Sequence, residues 1–128
     1  MKARHVLTIL AVDDLERAVR FYRDALGWAP TVETPVYVEL ANGMRLGLYL
    51  RDGFARNTGV PPQVRPTHGT TAAELYFHVE DLVEAVERLR GAGATELSAP
   101  ALRPWGDEVA YFADPEGNVV AIAVPPRA

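Results

Sequence analysis

A chain of 128 residues, 48% hydrophobic and 23% charged, has the make-up of one ordinary globular domain that can bury a core without staples. A net charge of −4 offers nucleic acid no basic face, and the absence of cysteine excludes disulfides and thiolate chemistry. No apolar stretch approaches the roughly 18 residues of a membrane span, and Met1–Arg4 is too short for a signal peptide, so the expected compartment is the cytoplasm.

In chain order, His5–Val12 is a β-branched, apolar run of strand length. Residues 12–27 read V-D-D-L-E-R-A-V-R-F-Y-R-D-A-L-G. Leu15, Ala18, Val19, Tyr22, Ala25 and Leu26 recur at i, i+3, i+4, i+7 spacing, which predicts a helix with one face on a core. Asp13 and Asp14 supply its cap, Glu16 favours its dipole, and Gly27 closes it. Thr31–Thr34 and Val36–Leu40 read as strand, interrupted by Pro35 at an expected edge or bulge. Ala41-Asn42-Gly43 signals a hairpin turn into the alternating run Met44–Leu50. The first half is therefore β-α-β-β-β. The stretch after it, rich in Gly and Pro, predicts a connecting loop over residues 52–72 that acts as a lid and carries ligand selectivity.

The pattern then repeats. Ala73–Val79 alternates as a strand, and Val79-Glu80-Asp81-Leu82 starts a helix whose stripe is Leu82, Ala85, Val86 and Leu89, ended by Gly91 and Gly93. Thr95–Leu97 is a short strand candidate and Pro100–Asp107 a loop. Val109–Ala113 and Asn118–Val124 flank Asp114-Pro115-Glu116-Gly117, whose proline and glycine suit a type I turn. One domain over 1–128 is expected, with module one at 1–51 and module two at 73–128.

V-x-D-L-x-x-A-V-x-F-Y-x-x-x-L-G, a second V-x-D-L-x-x-A-V and a closing D-P-E-G-N-x-V resemble the vicinal oxygen chelate superfamily of glyoxalases, bleomycin resistance proteins and extradiol dioxygenases. The resemblance implies an α+β fold. Two βαβββ modules would form an open, eight-stranded curved sheet with helices on the convex side. It also implies four inward-facing metal-ligand positions. Counting back from Asp14 and Asp81, and on from Asp114 with its repeat partner, they are Leu7, Glu74, Ala121 and Gly47. Only Glu74 can hold a cation, so no cofactor is expected. A slip of one pleat would add His5 as a second donor, which is the route back to a divalent metal.

The same parity puts His5, Leu7, Ile9, Arg45, Gly47, Tyr49, Glu74, Tyr76, His78, Val119, Ala121 and Ala123 on the concave face, and the alternate residues Val6, Thr8, Leu46, Leu48, Leu75, Phe77, Val120 and Ile122 against the helices. Gly47, Ala121 and Ala123 are small enough to leave room. Tyr49, Tyr76 and Trp105 offer flat rings, and Arg45 and Glu74 offer charge. Each has a plainer role to weigh. His5 and His78 can point to solvent, Trp105 can cap a hydrophobic edge, Phe21 and Tyr22 pack the helix, and Glu74 can pair with Arg45.

Two functions follow from these residues and the resemblance. One is a metal-independent binding protein of the bleomycin or mitomycin resistance type, a homodimer that holds a flat, partly aromatic small molecule with Glu74 as its anion. No nucleic acid or membrane partner is expected. The other is a glyoxalase-like lyase or isomerase, or a dioxygenase-related enzyme, with Glu74 as metal ligand or general base.

Overall fold

Asp14 and Asp81 open the two repeats in the same way. Each lies in extended backbone, with φ of −123° and −126°, and its carboxylate accepts a backbone N–H of the first helical turn, from Arg17 at 3.0 Å and from Glu84 at 3.1 Å. The computed structural model describes residues 1–63 and 66–126, and its contacts divide the chain into two units, residues 1–64 and 65–128.

The first unit runs β1 (Thr8–Val12), α1 (Leu15–Leu26), β2 (Ala29–Glu33), β3 (Tyr37–Asn42), β4 (Met44–Leu50) and α2 (Arg51–Thr58). Its sheet has the order β1-β4-β3-β2, with β1 parallel to β4 and the other pairs antiparallel. The second unit runs β5 (Glu74–His78), α3 (Leu82–Gly91), β6 (Thr95–Leu102), β7 (Glu108–Ala113) and β8 (Val119–Val124), in the order β5-β8-β7-β6, again with its first and last strands parallel. Among the described residues, eight strands in two four-stranded mixed sheets with three helices make the α+β class read from the sequence.

Parity decides which face is core. In the first unit Leu10, Val12, Val38, Leu40, Leu46 and Leu48 are buried, with Ala18, Val19, Phe21 and Tyr22 of α1. In the second, Ala110, Phe112, Val120 and Ile122 are buried, with Leu82, Val86 and Leu89 of α3. Side chains of period 2 on the strands thus meet a stripe of period 3.6 on the helix. The two registers also match. Gly47 pairs with Ile9 and Ala121 with Tyr76, and Ile9 and Tyr76 each lie two residues after the first-strand ligand position of their module, Leu7 or Glu74.

Several boundaries differ from expectation. β1 begins only at Thr8, so His5, Val6 and Leu7 precede it. Pro35 lies in the turn between β2 and β3, where Thr34 Oγ1 accepts from the backbone of Val36 and Tyr37. The bulge falls between Pro30 and Val32 instead. Residues 52–58 of the expected loop belong to α2, which begins at Arg51. β6 continues beyond Leu97, through Pro100 to Leu102, because it is an edge strand with register shifts, where a missing N–H costs no ladder bond. Val64 and Arg65, within the expected loop, lie outside the described residues.

Candidate functional site

On the face of the first sheet turned away from its core, cross-strand register brings two rows together: Ile9–Gly47–Glu39 and Ala11–Tyr49–Tyr37. Glu39 is buried, and both its oxygens are used. Tyr37 donates its hydroxyl to Oε1 and Arg45 donates Nε to Oε2, each at 2.8 Å. Those bonds, from Arg45 first and then from Tyr37, hold the Glu39 carboxyl below the usual range. Burial, then Glu39, push the Tyr37 phenol up to about 12. The Tyr37 ring meets Tyr49 edge-on at 5.3 Å between centroids. The small residue at 47 therefore opens no room, because Tyr37 lies across it. A Cβ there would stand 2.5 Å from the phenol oxygen.

In the second sheet the matching rows are Tyr76–Ala121–Tyr111 and His78–Ala123–Val109. Ala121, Ala123 and Val109 are sealed from solvent and pack with Tyr111, so this floor too is filled rather than open. Above it Asp107 gathers a polar cluster. Its Oδ2 accepts the Tyr76 hydroxyl at 2.5 Å and lies 3.4 Å from His78 Nε2, and Trp105 Nε1 donates to the Tyr76 oxygen at 2.9 Å. Burial and then the bond to Asp107 raise the Tyr76 phenol above its ordinary value. The turn carrying Trp105 and Asp107 is closed by Gly106 N–H to Arg103 O and by Arg103 N–H to Asp107 O.

The expected site residues thus separate. Tyr76, His78 and Trp105 come together around Asp107. Arg45 and Tyr49 join Tyr37 and Glu39 in the other unit. Glu74 is exposed at the start of β5, Leu7 is half-buried ahead of β1, and His5 is exposed with its Nε2 3.1 Å from Thr8 Oγ1. Glu39 takes the Arg45 Nε that was considered for Glu74. Three residues escaped the sequence reading: Tyr37, Glu39 and Asp107. The first two were within reach, since alternation carried through Val36–Leu40 turns both away from the apolar even positions.

The donor chemistry does not fit a divalent metal. Leu7 has no donor atom, Gly47 lies under Tyr37, Ala121 is packed in an apolar cluster, and Glu74 alone offers an oxygen. Among the described residues no group of three or more His, Asp or Glu side chains is placed to hold an ion.

The model of the Glyoxalase/Bleomycin resistance protein/Dioxygenase superfamily matches residues 2–122. The chain belongs to this superfamily. Among individual proteins, it is 32% identical to a glyoxylase-like domain-containing protein of Didymella fabae, over 88% of this chain and 87% of that one, and 29% identical to the uncharacterized protein YraH of Bacillus subtilis. Among solved structures, a glyoxalase-related enzyme from Fulvimarina pelagi superposes with a TM-score of 0.83 at 30% identity, covering 94% of this chain and 87% of its own. A glyoxalase/bleomycin resistance protein/dioxygenase from Nocardioides gives 0.82 at 27%, covering 100% and 87%. Membership in the superfamily accounts for the fold; function has to come from the side chains on it.

Proposed function

We propose that this superfamily member is a metal-independent small-molecule binding protein of the bleomycin or mitomycin resistance type. It holds a flat, partly aromatic ligand at the interface of a homodimer. The observation that carries this reading is the replacement of three of the four expected ligand positions by Leu7, Gly47 and Ala121. Rings of Tyr76 and Trp105 reach solvent beside polar groups, the combination that orients a planar molecule in a binding site.

The test is titration of the chain, purified without nickel and dialysed against EDTA, with bleomycin, mitomycin and a panel of planar aromatics. Tryptophan fluorescence and calorimetry would follow binding. Saturable binding that persists in EDTA is expected. Near-stoichiometric zinc, nickel, manganese or iron in the purified chain, with binding or turnover lost on chelation, would overturn the reading.

A further inference from the structure

We infer that Asp107, walled by Tyr76, His78 and Trp105, recognises a cationic N–H donor, the ammonium or amidinium group of a small organic molecule. This rests on the binding reading above and specifies the charge of the ligand it needs. Asp107 has a side chain only 12% exposed, yet its hydrogen bonding is lopsided. Oδ2 serves both Tyr76 and His78, while Oδ1 has no partner among the described residues and is not among the side-chain atoms sealed from solvent without one. A nearly buried carboxylate is costly unless its charge is matched, and a phenol hydroxyl on one of its two oxygens matches it incompletely.

The nearby cation is already committed. Arg103 gives Nη2 to Ser98 Oγ, Ala99 O and Val109 O, and lays its guanidinium over the Tyr111 ring at 5.1 Å. Among the described residues no Arg or Lys pairs with Asp107. Around the open oxygen, Trp105 is 55% and Tyr76 39% exposed, and the Tyr76 and His78 rings stand 5.9 Å apart. Ring faces beside an anion attract a cation, and the free Oδ1 favours one that carries N–H over a quaternary one. Glu74, the anion chosen from sequence, lies exposed, where water and salt screen its charge.

The probes are benzamidinium, its neutral isostere benzamide, and phenyltrimethylammonium, titrated into the full chain in EDTA. Benzamidinium should bind at least about tenfold more tightly than benzamide, since a charge-assisted bond is added. Asp107→Asn should abolish that preference, whereas Glu74→Gln should change affinity by no more than about twofold, as screening allows. Because Asp107→Asn also alters the bond to Tyr76, Trp105→Ala gives a second readout. It should weaken benzamidinium while leaving Tm unchanged. Equal affinity for benzamide and benzamidinium, equal affinity for the quaternary ion, or unchanged affinity in a folded Asp107→Asn chain would each overturn the inference. The first of these leaves the binding reading standing. No binding of any probe to a chain purified with stoichiometric metal removes both.

Discussion

Gly47 is a glycine because Tyr37 needs its space. The phenol that lies across it is anchored to Glu39, and Glu39 to Arg45, so the ring cannot swing aside without breaking a bond to a buried carboxylate. Gly47→Ala would place its Cβ 2.5 Å from the phenol oxygen and 2.8 Å from Cε1. We expect it to destabilise the chain by about 1–3 kcal/mol, the usual cost of overpacking. In a Tyr37→Ala background the same change should cost little, so the two substitutions should be strongly non-additive in a denaturation cycle. Additive effects would mean that the clash is relieved elsewhere. The neighbouring Glu39 repeats the lesson: a buried carboxylate in mid-strand, on the sheet face turned away from the core, is tolerated because both its oxygens are satisfied.

At the scale of elements, α2 is the departure from expectation that matters most. Arg51–Thr58 has no apolar stripe, a leucine at its N-cap without a side-chain bond, and a glycine in its first turn. Its support comes from elsewhere in the unit. Arg51 Nε bonds Asp13 at 2.5 Å, Asn57 Nδ2 donates to the Tyr49 hydroxyl at 3.2 Å, and Gly53 lets the Tyr49 ring press against the helix where a Cβ would collide with it. Its local cues are Asp52 in the first turn, Arg56 in the last, and Gly59, which closes the helix in the left-handed conformation with its N–H on Ala55 O. Native-state hydrogen exchange should therefore protect the amides of 55–59 well above those of 66–72. Equal, fast exchange across 52–72 would restore the continuous lid. Tyr49→Ala should loosen α2 before it loosens the sheet.

For the whole molecule, β2 and β6 end their sheets, and β6 leaves Leu97 and Leu102 exposed along an unpaired edge. Unpaired edges bearing apolar side chains attract partners, and a second copy of the chain is the partner proposed above. Sedimentation at micromolar concentration should give a mass near twice 14.0 kDa. A monomer would remove the dimer from the functional reading and leave the Asp107 cluster, which lies within one unit, untouched.

The repeat, the caps and the core-facing side of the first and last strand of each module were legible in the residues themselves. Asp14 and Asp81 act within one helical turn, and strand alternation is a property of the local backbone, so neither depends on distant contacts. The superfamily was legible for the same reason: its motifs are those caps and stripes. What surrounds each functional side chain was not. Glycine at 47 reads as space until a tyrosine from the next strand fills it, and Asp107 reads as a loop residue until β5 brings Tyr76 and His78 beside it. Helix α2 exists because Tyr49 and Asp13 meet it. Those meetings are set by cross-strand register and packing between segments far apart in the chain, and only the tertiary structure decides them.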